Sequence, residues 1–438
     1  MNKTQLHDAL ASTSSTKSCT PSPWSWVPSL YFAEGLPYAI VLLQSIAMYS
    51  MLELSNAEIA FYTGWLYLPW VIKPIWGPLV DVFFQKRICI VAMQLFIGGA
   101  CAGVALLLPT TWQIQGTLAL FWLIAFASAT HDIAADGMYM LGLDEGDQAL
   151  FVGSRSLFYR LAMLFGQGGV FLFVGILSKY LDVAVSWSIA FLFLSVFILA
   201  LGFYHLKMLP KLEAPKRERV TVRSVLNETF HVFALYFKRK DIGLIVSFIF
   251  LFRLGESQLT KLIIPFLINS REVGGLGLSA ASSASLYGIV GVFSLLVGGI
   301  LGGVLIAKQG LRKWIIPMVF ILNIPDLFYL FLAWIQTDNL FLVGGAISLE
   351  QFGYGFGSSA FMMYLIMTSE GKYRTAFYSI ATGLMALGMM LPGMLAGYIQ
   401  ECLGYSLFFV WVFVMTIPGF ILAFRIRSEI DVNYGKKS

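Results

Sequence analysis

Only 12% of the 438 residues are charged and 58% are hydrophobic, whereas a water-soluble domain carries about 25% charge. A mean hydropathy of +0.78 therefore excludes water as the main solvent, and the net charge of +5 is small for a nucleic-acid binder. The sequence has no G-x-x-x-x-G-K-S/T phosphate loop, no H-E-x-x-H and no G-x-S-x-G, which excludes ATP-driven pumping and the familiar hydrolases and leaves a gradient as energy source.

Residues 1–23 are polar and rich in Ser and Thr, and read as a cytoplasmic tail. From Trp24 follows a span of about 27 apolar residues, too long for a signal segment. Each apolar stretch of about 20 residues can cross the hydrocarbon as a helix that satisfies its own backbone. The first, 24–50, holds Glu34 about ten residues, or roughly 15 Å, from its start. Gly35 and Pro37 beside it can interrupt the helix where a transporter binds its ligand. With no basic residue in that span, Glu34 is expected to line a central cavity together with Gln44.

The second span, 57–80, carries Lys73, and a third runs over 88–109. The fourth, 116–143, holds His131, Asp132 and Asp136, and the four-residue spacing puts both aspartates on one face about 6 Å apart along the axis. Arg160 in the fifth span, 153–178, and Lys73 match the depth of Asp136, so the two bases are expected as charge partners of the two aspartates. The group reads in two ways: a buried ion-pair cluster that fixes register or gates one side, or a proton site in which Asp132 or Asp136 takes the driving proton. His131 either tunes the pair or is a packed histidine, since neighbouring helical residues diverge by about 100°.

After a sixth span at 185–206 comes a connection over 207–240 with nine Lys or Arg. Six further spans follow at 241–268, 281–307, 314–335, 340–368, 375–399 and 406–425, and 426–438 form a second tail. In the seventh, Glu256 and Gln258 are candidate cavity residues, although Arg253 and Lys261 stand near enough to salt-bridge Glu256. Asp326 in the ninth reads as structural, and Glu350 and Gln351 in the tenth either contact a polar ligand or serve only one another. GGILGG (Gly298 to Gly303) and GYGFG (Gly353 to Gly357) read as close helix packing rather than nucleotide loops. Cys19, Cys89, Cys101 and Cys402 lack ligand spacing, so no metal and no cofactor are expected.

Of the 29 Lys and Arg, only Lys179 and Arg271 fall in connections on one side, four lie within spans and the other 23 share the opposite side with both termini. Positive charge stays inside, so both termini and the 207–240 connection are expected in the cytoplasm. An offset of 225 residues relates Tyr62 to Tyr287, Gly77 to Gly302, Arg87 to Arg312, Met138-Tyr139 to Met363-Tyr364, Glu145-Gly146 to Glu370-Gly371, Ser154 to Ser379 and Gly168 to Gly393. An even span count with a direct repeat predicts an all-α integral membrane protein of 12 transmembrane helices. Two pseudo-symmetric six-helix bundles, 24–206 and 241–425, give it the major facilitator fold.

The stretch GPLVDVFFQKR resembles the cytoplasmic gate motif of that superfamily through Gly77, Asp81, Lys86 and Arg87, with Val82 where an arginine is usual; Lys86 and Arg87 also suffice as plain positive-inside anchors. YFAEGLPYAIVLLQ (Tyr31 to Gln44), WLYLPWVIKPIWGPLVD (Trp65 to Asp81) and THDIAADGMYM (Thr130 to Met140) resemble the AmpG muropeptide permease group, in a branch shared with the acetyl-CoA and folate-biopterin transporters. The resemblance is clear over about the first 160 residues and faint beyond. It implies proton-coupled import of anhydromuropeptides across a bacterial inner membrane for cell-wall recycling. Where that group carries a small residue this chain has Glu34, which favours a cationic ligand. Other readings are an importer of a different bulky solute, siderophore-like or acyl-nucleotide, and a receptor or signal transducer that binds without turnover. The expected partners are a small solute, protons and lipid, with no nucleic acid, and the chain is expected to be a monomer.

Overall fold

A computed structural model describes residues 21–143, 145–211, 221–369 and 373–436, and every regular element among them is helical. The first half comprises α1 (Pro23–Met51), α2 (Asn56–Trp65), α3 (Leu68–Phe83), α4 (Lys86–Leu107), α5 (Gln113–Gly142), α6 (Glu145–Leu164), α7 (Phe171–Leu177) and α8 (Val183–Met208). A connecting helix, α9 (Val222–Phe237), precedes α10 (Ile242–Ile268), α11 (Ala280–Gln309), α12 (Leu311–Ile335), α13 (Leu340–Thr368) and α14 (Arg374–Arg427). Among the described residues nine helices are long and apolar enough to cross a membrane, and the last of these turns sharply at Gly404, with φ 71°, so that it holds two runs. A count of twelve needs α13 and the joined α2 and α3 as well. Those two segments are irregular or diluted: Pro69 opens α3 after a break at Leu66 and Tyr67, and Glu350, Gln351 and several glycines interrupt the apolar run of α13.

Large apolar side chains such as Phe96, Leu192, Val196, Phe293, Ile300, Leu395 and Ile421 cover the outer surface, as a hydrocarbon solvent requires. The internal repeat is visible in packing. Gly77 on α3 lies against Ile133 of α5, and its counterpart Gly302 on α11 lies against Phe356 and Ser359 of α13. Likewise Tyr139 meets Tyr31 of α1, while Tyr364 meets Phe248 of α10. Glu370 and Gly371 of the repeat lie outside the described residues, as does the side chain of Asp81.

The two halves share one apolar core at the end away from the 207–240 connection, where Ile40, Ile59 and Val174 pack in the same cluster as Leu262, Phe266 and Phe409. Towards the connection the cores separate, one around Trp26, Ile90 and Met138 and the other around Phe248, Met318 and Phe361. Three π turns, Ile40–Gln44, Phe165–Val170 and Ala284–Gly291, stack on one another at the fused end. Glycine is required there, because a Cβ on Gly168 would stand 2.5 Å from the carbonyl oxygen of Gly288.

Polar side chains seal the same end. Asn56 donates to Gln400 Oε1 at 2.6 Å and to the Tyr405 hydroxyl at 2.9 Å, Asn269 donates to that hydroxyl at 3.0 Å, and the Ala57 amide donates to Glu401 Oε1 at 2.8 Å. A cavity of about 820 Å³ lies just outside this latch, lined by Glu53, Asn56, Asn269 and Glu401 among others. Asn56→Ala removes the two hydrogen bonds that Asn56 donates, about 1 kcal/mol each, and the 3.5 Å one it accepts from Asn269, and should shift the closed-to-open ratio of this end by about thirtyfold or more. Spin-label distances between positions 53 and 401 measure that shift; an unchanged distance distribution counts against a latch.

The connection contains a helix that composition alone does not announce. α9 packs on α3 of the first half and α14 of the second. Tyr236 stacks edge-on against Phe377, and Arg239 covers both rings while donating to the Thr368 carbonyl. Burial pushes the Tyr236 hydroxyl up to about 12, with Arg239 opposing the rise.

Candidate functional site

The apolar helices of the first half carry five charged side chains that converge between α1, α3, α5 and α6. Lys73 Nζ lies 3.5 Å from Asp132 Oδ2, which also accepts from the Trp70 indole at 3.2 Å. Asp136 Oδ1 lies 2.7 Å from Arg155 Nη2 and accepts from the Tyr31 hydroxyl at 3.3 Å. Arg155 in turn stacks on the rings of Tyr31 and Tyr139, at 4.5 and 5.6 Å. Glu34 feels the charges of both aspartates and both cations, yet its Oε2 has no hydrogen-bond partner among the described residues.

Three carboxylates against two cations leave an excess of one negative charge. The exposed fraction falls from Asp136 at 36% through Asp132 at 15% to Glu34 at 7%, so the cluster runs from an open end near the connection to a dry end at mid-depth. Gly383 of α14 lies against Val71 and Pro74 of α3, beside Lys73, which puts this row of charges by the seam between the halves. A buried ion pair that loses one member costs about 3–5 kcal/mol, less where water reaches it. Lys73→Gln should therefore lower the thermal unfolding temperature, and adding Asp132→Asn should recover part of the loss; an additive double mutant would mean the two side chains are not coupled.

Arg155 replaces Arg160 as the partner of Asp136. The apolar pattern starts the fifth span near residue 153, but α6 begins at Glu145, so the depth assigned to Arg160 belongs to Arg155. Five residues further along, Arg160 has rotated about 140° around the helix and faces Gly299 of α11 in the other half. His131 does not touch the aspartates either: its Nε2 accepts from Gln94, whose carbonyl oxygen bonds His205, which bonds Ser29. Gln44 leaves the cavity as well, since its amide donates to the Gly166 carbonyl and ties two π turns together.

In the second half the expected ligand residues turn inward. Glu256 is buried with neither oxygen bonded, and its charge acts on the buried Asp326 and Glu350. Glu350 accepts from Tyr329 at 3.1 Å and from Gln351, which also reaches the Tyr287 hydroxyl at 3.5 Å. Gln258 is held within the bundle by the Leu254 carbonyl and the Trp411 indole. Arg253 and Lys261 do not salt-bridge Glu256. Arg253 is non-helical, with φ −107° and ψ 13°, and this break defeats the i, i+3 rule that would have set it beside Glu256.

Around the gate motif, Lys86 Nζ donates to the Val80 carbonyl at 3.1 Å and its stem passes over Gly137 of α5, while Arg87 donates to the Leu206 carbonyl of α8. These contacts tie the α3–α4 connection to two neighbouring helices.

Residues 29–370 match the family described as Major Facilitator Superfamily. The chain belongs to the Major Facilitator Superfamily. It is a multi-pass membrane transporter and not an enzyme. Over 414 residues this facilitator is 27% identical to the anhydromuropeptide permease of Escherichia coli strain K12, covering 92% of this chain and 79% of that one, so the AmpG-like resemblance extends through the second half. In fold it resembles the nucleoside transporter NupG, at a TM-score of 0.65 and 16% identity over 92% of this chain and 97% of that one. The D-xylose–proton symporter gives a TM-score of 0.67 at 13% identity, over 94% and 99% of the two chains.

Proposed function

We propose that this facilitator imports anhydromuropeptides across a bacterial inner membrane, drawing protons inward with them by alternating access. The observation that carries the coupling is the Glu34 carboxyl, whose Oε2 has no partner among the described residues, at the dry end of a cluster with one more acid than base. One proton neutralises that cluster. A neutral cluster can lose its water as the halves close over it, whereas a net charge resists, since an ion at bilayer depth costs about 2.5 kcal/mol or more. Proton binding thereby favours the occluded form, which is the linkage a symporter needs.

The end bearing α9 faces the cytoplasm on the strength of the Lys and Arg asymmetry, so the conformation described is open inward and sealed outward by Asn56, Asn269 and Tyr405. The cargo follows from the similarity to an anhydromuropeptide permease. Proteoliposomes offered a labelled GlcNAc-anhydroMurNAc disaccharide test both parts. Accumulation inside an alkaline lumen that a protonophore abolishes is the expected result. Accumulation indifferent to the protonophore removes proton coupling, and saturable binding without accumulation favours a receptor.

A further inference from the structure

We infer that the seam between the halves holds an anion site, built on Arg253 with Arg160 and Lys261, that takes a carboxylate of a sugar-bearing ligand. This rests on the muropeptide reading above and names the part of the cargo that this facilitator grips.

The three cations share one property: none has a carboxylate within ion-pair distance among the described residues. Arg253 is only 7% exposed and Lys261 2%. Taking a cation out of water without a counter-charge is costly, and such groups in membrane helices face a pathway. The break at Arg253 separates the charges of α10 into two sets. Glu256 joins Asp326 and Glu350 inside the second bundle, Arg253 turns to α13, and Lys261 turns to the first half. Lys261 Nζ lies 2.9 Å from Thr63 Oγ1 and 5.0 Å from the centre of the Tyr67 ring, both across the seam. Arg160 crosses the other way to Gly299.

Arg253 is held in a defined pose with capacity to spare. Its Nη1 and Nη2 donate to the Tyr354 hydroxyl and Ser358 Oγ, each at 3.1 Å, its plane lies over the Tyr354 ring at 5.3 Å, and Nε is unpartnered. Tyr354 is within electrostatic reach of Arg160 and of Tyr38, and Tyr38 of Tyr67. Cations from both halves thus surround a group of tyrosine faces. Aromatic faces suit the apolar side of a pyranose ring, and a guanidinium fork suits a carboxylate. The excess negative charge near Glu34, which alone would favour a cationic ligand, belongs to the first-half cluster with Lys73 and Arg155 and is the charge that the proposed proton neutralises.

N-acetylmuramic acid and N-acetylglucosamine differ by one lactyl ether and its carboxylate, so their dissociation constants on the purified full chain isolate the anion contribution. The expected result is a preference for N-acetylmuramic acid of about tenfold or more, abolished by Arg253→Gln and only partly kept by Arg253→Lys, with N-acetylglucosamine affinity unmoved. Arg160→Gln, which leaves the α10 break intact, should reduce the same preference even if Arg253→Gln fails to fold. Equal affinity of the unmodified protein for the two sugars, or a preference that survives both glutamine variants, overturns the anion site. If neither sugar binds but an N-acetylated dipeptide does, in a manner dependent on Arg253, the anion site stands and the muropeptide cargo falls. If both sugars bind alike and the disaccharide is still accumulated, the cargo stands and the anion site falls.

Discussion

Glu34→Gln should reduce uphill accumulation to simple equilibration while leaving solute exchange across the membrane intact. A gradient of one pH unit stores about 1.4 kcal/mol per proton, enough for about tenfold accumulation at one proton per solute. Glutamine keeps the shape of the side chain but carries no titratable proton, so the tenfold ratio should fall to about one. Exchange should persist because the variant cluster, with Asp132 and Asp136 against Lys73 and Arg155, is neutral and can close. Asp136→Asn should behave differently, since it leaves Arg155 without its 2.7 Å partner and should impair exchange too. Counterflow and gradient-driven uptake measured side by side separate the two cases. Full accumulation by Glu34→Gln would assign the proton to another group.

The second large effect is expected at Gly288. A Cβ there would stand 2.6 Å from the Gln167 carbonyl oxygen and 2.6 Å from the Gly168 Cα, both backbone atoms that no rotamer change can move. Gly288→Val should therefore disfavour the fused end by about 1–3 kcal/mol, roughly 5- to 150-fold in the ratio of closed to open forms. Transport should fall with it, because the conformation described is one that an alternating-access cycle must visit. Gly345 provides the control, since an added Cβ there meets nothing within 4 Å and Gly345→Val should transport normally. Spin-label distances across the seam report the population directly, and normal distances in Gly288→Val would show that the glycine contact is not what holds that end shut.

Much of this is legible in the sequence because lipid imposes stringent rules. Apolar length marks the helices, and a lone acid such as Glu34 in a span without bases stands out at once. The pairing of Lys73 with Asp132 follows from matched depth. Depth is only as good as the assumed start of a span, and α6 extends as helix into the polar EGDQ segment, which transfers the role of Arg160 to Arg155. By position in the sequence alone, Arg155 is one more anchor. The reading of Arg253, Glu256 and Lys261 as salt-bridging neighbours fails for a different reason: helical spacing holds only while the helix is continuous, and nothing in FRLGESQLTK marks a break at its arginine. The π turns are equally hidden, because an extra residue per turn leaves the apolar pattern almost unchanged.

The latch at the fused end is made mostly of amides and a phenol rather than ion pairs. Neutral donors and acceptors exchange a protein partner for water at little net cost, so parting them requires no charge to be stripped of its counter-ion. Such a closure resists salt and pH, and yields readily when the far side tightens. The work of turnover then falls on the charged row around Glu34, so the rate of the whole cycle should be set by the fate of a single proton there.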